Sequence, residues 1–442
     1  MGAPEAATAT RTSRGQRRAV AIVVAVVILD LVGFGVVIPI LPYYVRSFGV
    51  SDVAIGLLAA SYSIMQFLFA PVLGRLSDAR GRRPVLMLSL LGSVIAWTAF
   101  GLAGETAALF GTLAGLATLF AARAVAGAMG GNIATAQAYV ADVTPVDRRA
   151  GALGLIGASF SLGFIFGPAL GGLFASDAVV ATARAVFPAF VPATRFSLPS
   201  FAAAGLSLTA LAGAAVFLPE PERTRGSAVR SSLVGGFASA LRDTNLRGLV
   251  VAFFVASVAF SGIQVMFIPF VADVYGYDAT AVALLLTYVG VLGAVNQGVL
   301  VGQLSRRYTS GRIAIAGAAV LLVSLTALPF SPEIGRTLLP TIGPVGPALA
   351  ALLIALGLLA VGNGLLNVSL ATLVSLGASE EEQGSAFGVT QGAGSLGRTV
   401  GPPAMAALYV VARPAPFVVG ALLVVPIIAI LAGIARGSPG GG

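Results

Sequence analysis

Asp30 stands inside the apolar run VAIVVAVVILDLVGFGVVIPILPYY, Val20–Tyr44. A run of that length reaches across a bilayer. A charge near its middle costs about 3 kcal/mol or more unless it is protonated, paired or turned to water. Loss of hydration disfavours the charged form of a carboxylate. That suits Asp30 to taking up a proton from one side and releasing it to the other. Two other uses stay open from the residues alone: an acid that ties helices together, and a direct cation ligand. Arg398 is the second anomaly, one turn before Gly401-Pro402 in another apolar run. Its guanidinium stays charged, so it must face a cavity, reach the surface along its stem, or pair with a carboxylate. It could read an anionic group of a ligand, answer Asp30, or tether helices. Arg123 poses a similar choice: close to Asp30 it would favour the charged acid, and otherwise its stem would carry it outward to the surface.

Residues 74–84 read GRLSDARGRRP. Gly74 permits close helix approach and Gly81 a tight turn. Asp78 can accept bonds from helix N-terminal amides or from an Arg, and Arg82 can pair with Asp142. Together they could latch one face of the molecule. A later run holds Gly157, Gly163, Gly167-Pro168 and Gly171-Gly172. Glycine allows a tight crossing there, and Pro168 frees a carbonyl and kinks its helix, as an interface that moves as a rigid body requires. Polar residues within apolar runs must find partners in an interior. Those expected to line a binding path are Gln66, Asn132, Gln137 and Gln264, with Gln297 and Gln391 further on. Asn296, Asn363 and Asn367 raise the same question. Phe160, Phe164 and Tyr288 could supply apolar contact, as could Trp97 and Phe260, although most aromatic residues in such a chain face lipid or core.

These residues need elements to hold them, and composition says which. The 442 residues are 57% hydrophobic and only 10% charged, with a mean hydropathy of +0.97. A soluble protein cannot hide that much apolar surface, so the expectation is an all-α chain that crosses the membrane many times. There is no His and no Cys, which removes disulfides, thiolate and imidazole chemistry and the usual zinc and haem ligands. All 26 basic residues are Arg, so there is no Schiff-base or P-loop lysine. An enzyme, an ATP-driven pump and a cofactor are not expected. The net charge of +9 is not a nucleic-acid signal, because the Arg residues fall in short blocks between apolar runs.

About twelve spans are expected, near 19–45, 52–75, 83–103, 113–140, 149–174 and 200–218, then near 246–272, 279–304, 312–330, 346–376, 383–409 and 415–435. They divide into a cytoplasmic tail (1–18), an N-terminal six-helix bundle (19–218), a cytoplasmic linker (219–245) with a short amphipathic helix around Ser232–Leu241, a C-terminal six-helix bundle (246–435) and a tail (436–442). Arg80, Arg82 and Arg83, Arg148 and Arg149, the linker residues Arg223–Arg247, and Arg306, Arg307 and Arg312 alternate with Arg-poor loops. The positive-inside rule then places both termini in the cytoplasm. Residues 175–199 and 331–345 are expected to be long outer loops. The halves repeat. Ser161-Leu162-Gly163 with Gly167-Pro168 matches Ser395-Leu396-Gly397 with Gly401-Pro402, and Ile38-Pro39 matches Ile268-Pro269. Repetition of this kind favours two bundles around a central cavity with alternating access. Asp30 is not repeated, for Phe260 takes the matching place.

The chain resembles the major facilitator superfamily over essentially its whole length. GRLSDARGRRP at 74–84 resembles the family's loop between helices two and three, and Arg123 through Gly131 its fourth-helix motif. GLIGASFSLGFIFGPALGG at 154–172 resembles the fifth-helix signature of drug/proton antiporters. The twelve-helix tetracycline/proton antiporters are most alike, in LDLVGFGVVIPILPYY at 29–44, in residues 62–90 and in EEQGSAFGVTQ at 381–391. The resemblance implies the major facilitator fold and proton-coupled efflux of a small amphipathic or hydrophobic compound, in the manner of multidrug efflux and antibiotic resistance. It implies a bacterial cytoplasmic membrane location and a working monomer whose partners are protons, a small molecule and lipid. It places proton coupling on Asp30, a conformational or relay role on Arg123, the latch on Asp78, Arg82 and Asp142, and Gln66 and Asn132 on the drug path. The chain departs where those exporters carry further acids in helices three and nine; Ala96 and Leu321 stand nearby. The alternative is a symporter or uniporter for a metabolite, with Arg398 meeting an anion.

Overall fold

The structure, a computed structural model, describes residues 3–221, 244–341, 345–377 and 383–437. The linker helix expected around Ser232–Leu241 and the acidic run Glu380–Glu382 lie outside the described residues. The described chain is helical nearly throughout. Its first half runs α1 Ala3–Val37, α2 Leu41–Ser47, α3 Val53–Arg80, α4 Arg82–Phe110, α5 Thr112–Met129, α6 Asn132–Val143, α7 Val146–Ala175, α8 Asp177–Val186 and α9 Ser197–Phe217. Its second half runs α10 Thr244–Tyr275, α11 Ala279–Val295, a π turn Asn296–Leu300, α12 Val301–Leu304, α13 Ser310–Ala327, α14 Ser331–Leu338, α15 Pro347–Gly377, α16 Gln383–Val411 and α17 Ala415–Gly437.

Eleven helical segments among the described residues are long and apolar enough to cross a membrane. The twelfth span is α16, whose 29 residues suffice in length but whose Gln391, Ser395, Arg398 and paired Pro402 and Pro403 dilute its apolar character. Many Leu, Ile and Val side chains on these helices stand exposed, Ile95, Leu284 and Val216 among them, as a lipid-facing surface requires. The first span is shorter than expected. Helix α1 stops at Val37 and the chain turns through Ile38–Ile40, because Pro39 has no N–H to continue the ladder and Pro42 fits the first turn of α2. Both long stretches expected as outer loops hold helix: α8 lies in 175–199 and α14 in 331–345. Each is a short amphipathic piece that apolar runs alone do not reveal.

The chain divides into two compact units. One takes 1–44, 64–227 and 278–287, and the other 45–63, 228–277 and 288–442. The division therefore runs through α3 and α11 as well as through the 219–245 stretch. In the first unit, α1 packs on α7 and α9, and α4 on α5 and α9. Its core gathers Val23, Val27 and Leu31 of α1, Leu86 and Leu90 of α4, Tyr139 of α6, Ile156 of α7 and Ala210 of α9. In the second unit, α10 packs on α16 and α17, and α13 on α15 and α17.

The repeated glycine motif does the same work in each unit. Helices in lipid gain no hydrophobic drive toward one another, so close backbone approach has to hold them. A Cβ on Gly167 would collide with the backbone of Gly35 and Val32, and one on Gly163 with Leu31. In the second unit a Cβ on Gly401 would collide with Ser261 and Val258, and one on Gly397 with Ser257 and Phe254. Those contacts align Leu31 with Ser257 and Gly35 with Ser261. The position matching Asp30 is thus Ala256, one helical turn before the expected Phe260. It is still not an acid.

Candidate functional site

Asp30 lies on α1 one residue before Leu31, whose side chain faces Gly163, and it is half-buried. Its Oδ2 accepts a hydrogen bond from Asn132 Nδ2 at 2.5 Å, and Ser93 on α4 supplies a second hydrogen-bond contact. Asn132 is 6% exposed and opens α6, directly after the two-residue break Gly130-Gly131 that interrupts span four. Gln66 of α3 reaches the same break, with its Nε2 3.4 Å from the Gly130 carbonyl. Two helices, α4 and α6, thus bring side chains to the one carboxylate of α1, while α3 braces the break beside it. Ser93 and Asn132 are neutral hydrogen-bonding groups, which can serve the acid in either protonation state.

Arg123 is about two turns further back along span four. Its Cζ sits 5.7 Å from the ring centroid of Phe34, and Phe34 meets Trp97 edge-on at 6.2 Å. The residue is only 7% exposed, so it does not run outward to the surface. The cation is held over an aromatic face instead.

The 74–84 segment forms a charged knot. Arg82 donates from Nη1 to Asp78 Oδ1 at 2.6 Å and from Nε to Asp142 Oδ2 at 2.9 Å. Gly81 adopts φ 117°, a conformation that side chains avoid. The amides that follow it are capped by a residue that sequence reasoning left in the linker: Glu220 accepts from Arg82 N at 2.7 Å and Arg83 N at 2.9 Å. Of the two roles open to Asp78, accepting from helix amides or from an Arg, the structure has the second, and its carboxylate meets Arg82. Gly74 makes no close helix approach, because a Cβ there would meet nothing within 4 Å. Pro168 does sit against α1, next to Gly35.

The remaining expected binding residues are scattered. Gln137, Gln264, Gln297 and Gln391 are exposed, and none makes a side-chain hydrogen bond among the described residues. Phe164 is exposed, whereas Phe160 packs onto the first unit's apolar core. Tyr288 donates to the Leu353 carbonyl at 3.1 Å, tying α11 to α15. Arg398 is half-buried and donates from Nη2 to Ser395 Oγ at 2.9 Å. Ala96 and Leu321 are fully buried among apolar neighbours.

One cluster in the second unit was missed. Arg46 of α2 forks onto Asp52 and Asp273, with bonds of 2.7 Å to each carboxylate, and Tyr409 donates to Asp273 at 2.8 Å. Burial works against the charge on Arg46, but the hydrogen bonds and charges of Asp52 and Asp273 outweigh it and raise its pKa further. These residues line an open cavity of about 580 Å³. The available signal was Arg46 itself, a cation on the Arg-poor side of the membrane with no neighbour in sequence to explain it except Asp52.

The model of the Major Facilitator Superfamily matches residues 23–402. The chain belongs to the major facilitator superfamily. Among its relatives, the class C tetracycline resistance protein of Escherichia coli is 33% identical over 71% of this chain and 74% of its own length. Multidrug resistance protein 1 of Bacillus subtilis is 27% identical over 85% of both chains. A solved bacterial homologue of the human lysosomal transporter Spinster superposes with a TM-score of 0.71 at 13% identity, covering 96% of this chain and 97% of that one. That likeness establishes the fold. This major facilitator protein is accordingly an integral membrane transporter and not an enzyme, with twelve spans and the all-α architecture of its superfamily.

Proposed function

We propose that the protein is a proton-driven exporter of a small amphipathic or hydrophobic compound, working by alternating access in a bacterial cytoplasmic membrane with both termini in the cytoplasm. What carries the reading is the Asp30–Asn132 pair, a half-buried acid deep in a span and held at 2.5 Å by a neutral amide. An acid there can be neutralised from a cavity and recharged without leaving its partner. Arg123 over Phe34 supplies a fixed positive charge on the neighbouring span, placed to follow changes in that packing. The Asp78–Arg82–Asp142 knot acts as the cytoplasmic latch. Resemblance to drug-resistance proteins supports efflux, while Ala96 and Leu321 in place of acids argue for a compound other than a metal–tetracycline chelate. Symport or uniport of a metabolite is the second reading. The test is proton release from purified protein on adding candidate compounds: release from wild type, absent in Asp30→Asn with binding retained, fits antiport. Proton uptake on binding, or release unchanged in the variant, overturns it.

A further inference from the structure

Two guanidinium groups that join helices in the described chain meet carboxylates: Arg46 has Asp52 and Asp273, and Arg82 has Asp78 and Asp142. Arg398, within a membrane-spanning helix, does not. It has no carboxylate within salt-bridge distance among the described residues, and its one side-chain hydrogen bond goes to the Ser395 hydroxyl. Its polar neighbours are hydroxyls, Ser395 Oγ on its own helix and Ser257 Oγ on α10. A Cβ added to Gly394 would stand between Ser257 Oγ and Arg398 Nη1, at 3.2 and 3.5 Å. The lack of a side chain at Gly394 lets α10 come close, so the Nη1 end of the fork lies near a hydroxyl of that helix. The Nε and Nη1 donors have no protein partner among the described residues and are not sealed from a probe. A planar fork with a free edge fits the two oxygens of an oxyanion, and in a low-dielectric surround such a pairing is much stronger than in water.

We propose that Arg398, with Ser257, forms the docking site for an anionic group on the transported compound: the cargo is an amphiphilic organic anion with a carboxylate, sulfonate, phosphate or enolate head. This inference rests on the transport reading above and adds the charge of what is carried. Ser395 orients the guanidinium, and Gly394 lets Ser257 approach it.

The experiment compares three probes on the full-length protein in nanodiscs: naphthalene-2-sulfonate, the neutral naphthalene-2-sulfonamide and a naphthyl trimethylammonium cation. Wild type should bind the sulfonate at least 10-fold more tightly than the sulfonamide, and the cation more weakly than either. Arg398→Gln should remove that preference, while Arg398→Lys, a point charge without the fork, should lower sulfonate affinity about 3- to 10-fold and leave sulfonamide affinity unchanged. Ser257→Ala should weaken the sulfonate a few-fold. No preference for the sulfonate in wild type overturns the proposal. So does a preference that survives Arg398→Gln, or one that neither Arg398→Lys nor Ser257→Ala alters should the Gln variant fail to fold. Gradient-driven flux of the sulfonamide in proteoliposomes reports separately on the transport reading: such flux without anion preference rejects only the charge assignment, and anion preference without gradient dependence rejects only the proton coupling.

Discussion

Replacing Asp30 by Asn tests the proton reading most directly. The amide has the shape of the acid, and its oxygen can still accept from Asn132, so the loss of that contact's charge assistance should cost no more than about 1–2 kcal/mol of stability. What disappears is the proton. Asp30 is the single acid among the described residues that lies far from the ends of the spans, so the proposed coupling passes one proton per cycle through it. One proton moving down a pH difference of one unit releases about 1.4 kcal/mol, and its charge crossing about 100 mV adds about 2.3 kcal/mol. The sum, about 3.7 kcal/mol, supports an accumulation of a neutral probe such as naphthalene-2-sulfonamide of roughly 500-fold. In proteoliposomes with imposed gradients, wild type should approach that limit and Asp30→Asn should settle near unity, with equilibrium binding within a few-fold of wild type. Uphill accumulation by the variant that still follows the pH difference would refute the assignment.

The remaining predictions concern the supports. Asp142→Asn should shift the balance of access states more than Asp78→Asn, since Asp78 is 53% exposed against 26% for Asp142 and an exposed pair is worth at most about 1 kcal/mol; spin-label distances that move equally, or not at all, would count against the latch. Glu220→Gln should lower thermal stability by about 1–2 kcal/mol through its two amide bonds, and Gly81→Ala by more, because the backbone angle and the Glu220 side chain both resist a Cβ; a melting curve in detergent checks both. Asp273→Asn should destabilise the protein by about 1–3 kcal/mol, leaving Arg46 with one carboxylate and Tyr409 with a poorer acceptor; a melting point unchanged from wild type would mean the cluster is solvated decoration.

The spans were legible because each is a long apolar run, and Asp30 was legible because a charge inside one needs a reason. Its partner Asn132 could be named as polar in an apolar run, but not assigned to it, since the two lie 102 residues apart. The same distance problem hid Arg46–Asp273, 227 residues apart, and it hid Glu220, whose acidic, proline-flanked context reads as linker. Helices α8 and α14 escaped because a short amphipathic piece looks like loop composition. For Arg123 the sequence left two courses open, toward Asp30 or out to the surface, because stem length tells how far a side chain can reach and not that an aromatic ring lies beneath it.

The break at Gly130-Gly131 has a mechanical side. Beyond it, α6 is a rod of 12 residues, about 18 Å long at 1.5 Å per residue. Its near end carries Asn132 and its far end Asp142. Swinging such a rod by only about 10° about the glycine pair displaces the distant tip by about 3 Å, enough to pull Asp142 off Arg82. A small local event, such as one amide letting go of one acid, is thereby magnified at the opposite end of the lever with no need for any intervening residue to relay it.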